Sequence, residues 1–547
     1  MDAGPSSSED EACLAKEGGA AAAAEMRRDA GGAPSEPPYP YGGSGADAGS
    51  GGPGAGAGAG AGAVHAAFAV LGVGSLTPFN ALINAAVFYR ARLGGTPFAG
   101  TFGSAFPLAF TAANVAALVA ALRAGGRAGG RGGGLAQASA RVSGSLWVCG
   151  AVFCGLAVQA LDASVAAAAV FWTTLAAAGI LGGCCAYFSA AVVGLAARFP
   201  ATCTQAVMAG QGVAGLGISL MALAADALSH AAGPAGEAAA YAEVRNGALA
   251  YFAVALAVVA ACRLAFQRML ATPFAKGVLG EEAAPPGERT GHVGAPLLPS
   301  APTQPGVAAG VDVDVEGMQA EDRLSAAAAA EEAEAAAEEE AEDEEDFGVG
   351  YQKLMWSIRW PAAAVFGVFA VTLSAFPAMT ALVAPATGTV GPLARPGLFV
   401  NLGFVVFNAA DLLGRVLAQS DGVDWERAFG KRIRLALYAA ARVVLVPLLA
   451  ACNVQCPGGT GAGAGTGVSF LAESNVPFFA LMAIFGISNG MLSSQAMMLG
   501  PGLGQRLWGF NGFRERSGEI MVFSLTLGLA VGSLNSFLVQ GVRCAAA

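Results

Sequence analysis

The sequence is short of charge. Asp, Glu, Lys and Arg make up only 12% of its 547 residues, where a soluble chain carries about 25%. With 55% hydrophobic residues and a mean hydropathy of +0.56, that deficit argues for a chain that lives in a membrane. The acid that is present gathers in one run, EEAEAAAEEEAEDEED at 331–346. The net charge of −10 therefore describes a loop, and no nucleic-acid partner is expected. Histidine is scarce: His65, His230 and His292 are the only three, and none is spaced with another as a metal ligand. The ten cysteines are scattered. Cys149, Cys154, Cys184, Cys185, Cys203, Cys262 and Cys452 lie in apolar runs and read as small packing residues, without a disulfide or zinc pattern. P-loop, G-x-S-x-G and H-E-x-x-H motifs are all lacking, so neither an enzyme nor an ATP-driven pump is indicated, and no cofactor is expected. N-x-[ST] is missing too. The first sixty-odd residues lack a basic patch followed by an apolar core, so no cleavable signal is expected. Residues 1–63 read as a disordered cytoplasmic tail.

What the sequence has is long apolar runs. A spanning helix needs about 20 mostly apolar residues, and eleven segments qualify: 64–89, 101–122, 142–161, 165–197, 201–229, 246–270, 357–384, 397–419, 432–453, 475–499 and 518–540. The fourth and fifth are parted only by Arg198-Phe199-Pro200, where proline marks a turn. Between the sixth and seventh, residues 271–352 hold Pro, Gly and Ser and then the acidic run, which reads as a disordered acidic linker. The chain is thus expected to be an all-α polytopic membrane protein, with helices 1–6 in 64–270 and helices 7–11 in 353–547. Basic residues set its orientation. Arg123, Arg127, Arg131, Arg141, Arg198, Arg268, Lys276, Lys353, Arg359, Arg427, Lys431, Arg432, Arg434, Arg506, Arg514 and Arg516 flank one side. The other side offers Arg90, Arg92, Arg245, Arg395 and Arg543. The bias predicts N-in and C-out.

One of these apolar segments contains FNAADLLGR (407–415). A charge at mid-bilayer costs about 2.5–3.5 kcal/mol on insertion scales and is tolerated where it meets a partner or a water-filled path. Asn408, Asp411 and Arg415 are spaced i, i+3, i+7, within about 60° of one another on a helix, and Asp precedes Arg by four, the favourable order for a pair. This face must look inward, either lining a path or fixing helix packing. Gly414 lets a neighbouring helix or a ligand come close. A second cation, Arg442, sits in ARVVLVPLLAACN, with Asp411 as one candidate partner. MAGQGVAGLG (208–217) places Gln211, an amide that needs a partner, among Gly210, Gly212 and Gly215, glycines that read first as close-packing positions. ISNG puts Asn489 in helix 10, while Phe79 in GVGSLTPFN and Phe376 in SAFPAMT are rings for the core or for a planar ligand. Polar helices spread over two halves suit alternating access better than a single pore.

Several stretches together resemble the equilibrative nucleoside transporter family, solute carrier family 29. FNAADLLGR is similar to its F-N-x-x-D-x-x-G-R signature, RFPATCTQAVMAGQGVAG (198–215) to its fifth-helix P-x-x-x-T…M-x-G-Q-G-x-x-G stretch, and GVGSLTPFNALINA to its first-helix G-x-G-x-L-x-P-W-N opening. SAFPAMT, ARVVLVPLL, ISNG and IMVFSLTLGLAVGSLNSFL fit helices 7, 9, 10 and 11, so the likeness runs in order from about 64 to 540. It implies a major-facilitator-like 6+5 arrangement and transport of nucleosides or nucleobases, with protons as a candidate co-substrate. It places substrate contacts at Asp411 and Arg415, with Asn408 beside them. Phe79 stands where the family usually has tryptophan, and Ser189 where it has a substrate-contacting Gln. Phe376 and Asn489 complete the candidate substrate site; Arg442, Gln211, Gly210, Gly212, Gly215 and Gly414 are the structural or gating candidates. Glu519 in helix 11 reads as an end-of-helix carboxylate near Arg516. A ribose presents vicinal hydroxyls that a carboxylate accepts while a guanidinium donates from the other side. The alternatives are an amine carrier of the same fold, and a membrane scaffold or sensor using its acidic loop. The plasma membrane is the default location, an intracellular membrane the alternative.

Overall fold

The computed structural model describes residues 60–127, 135–232, 237–280, 352–419, 432–455, 469–508 and 511–545. Among these residues eleven helices are long and apolar enough to cross a membrane: α1 (Ala61–Arg92), α2 (Ala99–Arg127), α3 (Leu135–Leu161), α4 (Ala167–Arg198), α5 (Ala201–Ala232), α6 (Glu237–Ala271), α8 (Pro396–Leu417), α10 (Asn475–Trp508) and α11 (Asn511–Ala545), with α7 (Gln352–Leu382) and α9 (Ile433–Ala450). Each expected segment has its helix. Most helices run several residues past the apolar stretch, because apolarity marks only the part that faces lipid while the backbone bonding continues beyond it. The expected turn at Phe199-Pro200 separates α4 from α5. Pro273–Gly280 forms a short helix inside the stretch read as linker. Of the segments expected to be disordered, 1–63 and 271–352, residues 1–59 and 281–351 lie outside the described residues, while Ala61–Ala63 instead open α1 and Gln352 opens α7.

Helix α9 is irregular. It passes from α-helix through a 3-10 stretch, Arg442–Val444, and back to α-helix at Leu445–Ala450. Pro447 cannot donate to the carbonyl four residues back, and its ring crowds that turn; tightening to i+3 bonding is the local answer.

Glycines set the closest crossings. A Cβ on Gly72 would strike the carbonyl of Val207, and one on Gly210 the carbonyl of Ala69, so α1 and α5 meet backbone to backbone. Gly414, Gly486 and Gly490 do the same for α8 and α10, against the carbonyls of Ile487, Phe407 and Asp411. Between the halves, α5 runs against α8 and α11 against α4.

The apolar core is divided unevenly along the bundle. At the end carrying Arg141, Arg198, Arg514 and Arg516, here termed the basic end, one continuous cluster joins both halves, from Phe68, Phe199 and Met208 to Val365, Leu435, Met497 and Met521. At the opposite end the halves keep separate clusters. Phe88, Tyr89, Phe102 and Phe153 belong to one, and Phe399, Phe407, Phe478 and Phe485 to the other.

Candidate functional site

The face predicted from FNAADLLGR lies inside the bundle. Asp411 and Arg415 are each only 4% exposed. Arg415 Nε donates to Asp411 Oδ2 at 2.7 Å, one helical turn apart on α8. The other carboxylate oxygen accepts from Asn489 Nδ2 of α10 at 2.7 Å. Asn489 reaches it because the Gly490 crossing brings α10 to van der Waals range of the Asp411 backbone. Behind Asn489, the Thr372 hydroxyl of α7 lies 2.7 Å from its Oδ1 and 2.8 Å from the Val368 carbonyl, one proton between two acceptors. Asp411 thereby has two charge-assisted partners, which offset the cost of burying it.

Arg415 also faces the other half. Its Nη1 donates to the Met208 carbonyl at 2.8 Å and lies 3.4 Å from Gln211 Oε1. Gln211 Nε2 donates onward to Ser75 Oγ of α1 at 3.1 Å, and Gln205 Nε2 donates to the Arg415 carbonyl at 3.0 Å. Two turns from Arg415 on the same stripe, Asn408 Nδ2 donates to Ser219 Oγ of α5 at 2.7 Å. Gly212 leaves room for the Arg415 side chain, and Gly215 for that of Asn408. The glycines therefore divide: Gly210 and Gly414 serve helix contact, whereas Gly212 and Gly215 let the polar face seat against α5.

The remaining candidates fall at varying distance from this network. Phe376 stacks on Phe407 with centroids 4.1 Å apart and meets Phe404 edge-on at 5.0 Å, one turn along α8 from Asp411 and Asn408. Phe79 packs with Phe110 at 5.1 Å; it is one turn beyond Ser75, and among the described residues no hydrogen bond or ring contact ties it to the Asp411 network. Ser189 is half-buried on α4 and makes no hydrogen bond among the described residues. One turn before it, Cys185 Sγ lies 3.8 Å from the Ser75 carbonyl. Arg442 is buried, but its partners are Ser488 Oγ at 3.0 Å and the carbonyls of Val368 at 2.8 Å and Phe485 at 3.0 Å. Its guanidinium also lies 4.7 Å from the Phe485 ring centroid. Asp411, the candidate partner for Arg442, makes its hydrogen bonds to Arg415 and Asn489 and acts on Arg442 only through its charge. Arg442 ties α9 to α7 and α10.

Several members of the network went unsingled by sequence reasoning: Thr372, Gln205, Ser219 and Ser75. Three of them are hydroxyls that also bond a carbonyl within their own helix, to Val368, Gly215 and Gly72. That bond makes a hydroxyl inexpensive in an apolar helix, so it leaves no anomaly to notice. Gln205 carried the same signal as Gln211, an amide in an apolar run.

The basic end holds a second polar cluster. Glu519 of α11, 2% exposed, accepts from Arg141 of α3 at 2.8 Å and from Arg516 at 2.7 Å. The expected proximity to Arg516 is there, and Arg141 adds a bond between halves. Glu515 pairs with Arg198 at the end of α4, and Arg514 donates to the Phe199 carbonyl at 3.1 Å. At the far end of α11, Cys544 is disulfide-bonded, a bond that no cysteine pattern in the sequence suggested. The seven other described cysteines are free thiols.

The chain has recognisable relatives among known proteins. The chain is 28% identical over 359 residues to mouse (Mus musculus) Equilibrative nucleoside transporter 1, covering 65% of this chain and 66% of that protein. It is 27% identical over 497 residues to mouse Equilibrative nucleoside transporter 2, covering 88% and 97%. The chain thus spans just under two thirds of the first relative and nearly all of the second. Among solved structures, the major facilitator superfamily proton:xylose symporter XylE aligns over 88% of this chain and 92% of its own, with a TM-score of 0.46 and 12% identity. The E. coli fucose:proton symporter FucP aligns over 89% and 98%, with a TM-score of 0.43 and 12% identity. The family model described as "Nucleoside transporter" matches residues 175–541, a span that takes in the α5, α8 and α10 residues of the buried network, and the chain belongs to that family.

Proposed function

We propose that this protein carries nucleosides across a membrane by alternating access, with Asp411 and Arg415 as the groups that grip the ribose. The observation that carries the reading is the network itself. A carboxylate and a guanidinium are held side by side at the seam between α5 and α8, each already bonded to one half of the bundle and Arg415 to both. A ribose diol can replace the bond between these groups, donating to the carboxylate and accepting from the guanidinium, and an analogue without hydroxyls offers no such exchange. The stacked Phe376 and Phe407 rings offer a flat apolar wall for the base. Nucleobases and protons stay candidate cargoes of the same path. Arg415 disfavours the amine-carrier alternative, because it cancels the charge that Asp411 would offer a cation.

Uptake of radiolabelled adenosine and uridine by cells stripped of their own carriers tests this. Accumulation above background, competed by unlabelled nucleoside and less well by 2′,3′-dideoxynucleoside, is the expected result. Competition by amines alone would replace the reading with the amine carrier.

The N-in, C-out orientation and the 6+5 major-facilitator-like arrangement belong to the same proposal. The basic bias of the loops supports the orientation, and so does the disulfide at Cys544, since such bonds persist in oxidising compartments. On that orientation the basic end is cytoplasmic and sealed, and the separated apolar clusters face outward. A membrane-impermeant maleimide should label Cys544 in intact cells only after reduction by an impermeant reductant; labelling that needs permeabilisation reverses the orientation.

A further inference from the structure

The geometry points to a binding site for an anionic phospholipid headgroup on the lipid-facing seam between α3 and α6, formed by Arg263, Trp147 and Gln267. Arg263 is half-buried on α6. Its guanidinium carbon lies 4.8 Å from the centroid of the Trp147 ring on α3. That cation–π contact is its single recorded interaction: among the described residues Arg263 has neither a hydrogen-bond acceptor nor a carboxylate partner. The other arginines inside the bundle behave differently, Arg415 and Arg442 having their donors bonded. Trp147 is 65% exposed, so the pair looks out from the bundle rather than into it.

Position decides what meets it there. The two helices run antiparallel, with Val259 against Gly150 and Arg263 against Trp147 one turn nearer the basic end. Arg263 lies five residues before the exposed Arg268, about 7.5 Å by helical rise. A stem of that length snorkels to the headgroup level while its carbons cover apolar surface, and tryptophan favours the same depth. One turn further toward the end, a Cβ at Gly144 would meet nothing within 4 Å, and Gln267, on the Arg263 stripe, is exposed. The surface beyond Arg263 is therefore open, with an amide beside it. A guanidinium with free N–H groups at this depth calls for a phosphate oxygen, and its charge, with no carboxylate beside it among the described residues, favours a headgroup with net negative charge over a zwitterionic one.

The experiment uses the purified full-length chain. Thermal unfolding is followed with added phosphatidylglycerol, phosphatidylcholine or inorganic phosphate, and retained lipid is counted by native mass spectrometry. Phosphatidylglycerol is expected to raise the melting temperature and to stay bound, phosphatidylcholine to do so at least about fivefold more weakly at equal concentration, and inorganic phosphate to have no effect. Arg263→Ala and Trp147→Ala should lose most of the shift and the bound lipid, and Arg263→Lys should keep part of it. Leu264→Ala, a lipid-facing neighbour 47% exposed, should keep all of it. Equal response to both lipids, a response to inorganic phosphate, or full retention by Arg263→Ala overturns the site.

Discussion

Asp411 and Arg415 stabilise each other's burial, so substituting one exposes the cost of the other. Breaking a buried pair by removing one partner costs about 3–5 kcal/mol. Single Asp411→Ala and Arg415→Ala variants are therefore expected to lose both surface expression and uptake. The double variant Asp411→Ala/Arg415→Ala removes both charges and should regain surface expression, while uptake stays below about a tenth of wild type if binding loses at least 1.4 kcal/mol. Surface biotinylation beside uptake separates the two effects, and uptake recovering along with expression would make the pair a packing device. The charged members of this network were legible in the sequence because a charge in an apolar run is an anomaly with a measurable cost. Thr372 and Ser75 were not, since each resolves its own anomaly within one helical turn. Nor could the sequence tell that Arg442 would point at Ser488 and two carbonyls rather than at Asp411, because that choice is made by the rotation of α9 against α10.

At the scale of elements, the α8–α10 crossing depends on missing side chains. A methyl at Gly490 would meet the carbonyl of Asp411, and the two backbones must part to admit it. The expected loss for Gly490→Ala is about 1–3 kcal/mol, the usual cost of forcing atoms into a filled interior, read as a lowered melting temperature and as weakened uptake, because Asn489 moves with the backbone. Gly217 on α5 is the control. It is exposed, and a Cβ there meets nothing, so Gly217→Ala should be neutral or stabilising by up to about 1 kcal/mol from helix propensity. Equal effects at the two positions would mean that the crossing is softer than its geometry. The eleven spans could be read from the sequence because bilayer thickness fixes their length. Their pairing could not, since glycine content alone does not say which helix comes close: Gly72 finds Val207 and Gly490 finds Asp411, contacts between residues far apart in the chain.

For the whole molecule, the distribution of core and charge says which end is shut. At the basic end an apolar cluster shared by both halves, a smaller one at Leu354, Ile358, Leu503 and Ile520, and the Glu519–Arg141 and Glu515–Arg198 pairs hold the helices together, whereas at the far end each half keeps its own cluster. Glu519→Gln keeps the shape but leaves Arg141 and Arg516 facing one another without a carboxylate. The expected outcome is a shift toward forms open at the basic end, about tenfold in ratio if the pairs contribute about 1.4 kcal/mol. Spin labels placed at the ends of α4 and α11 should report a longer and broader distance distribution. An unchanged distribution would assign closure to the apolar cluster alone. Sequence showed the basic residues as a topological bias but not as a clasp, since Glu519 and Arg141 are 378 positions apart.

The hydrogen bonds of Arg415 across the α5–α8 seam have a consequence for affinity. The guanidinium is already partnered within the chain: Asp411 takes Nε, and Met208 and Gln211 take Nη1. If the pair grips the ribose as proposed, an arriving sugar must displace these contacts, so its apparent dissociation constant is weakened by whatever fraction of the protein is self-bound. For a carrier this is an advantage. Tight holding slows release, and a grip that must compete with the chain's own contacts is a looser one.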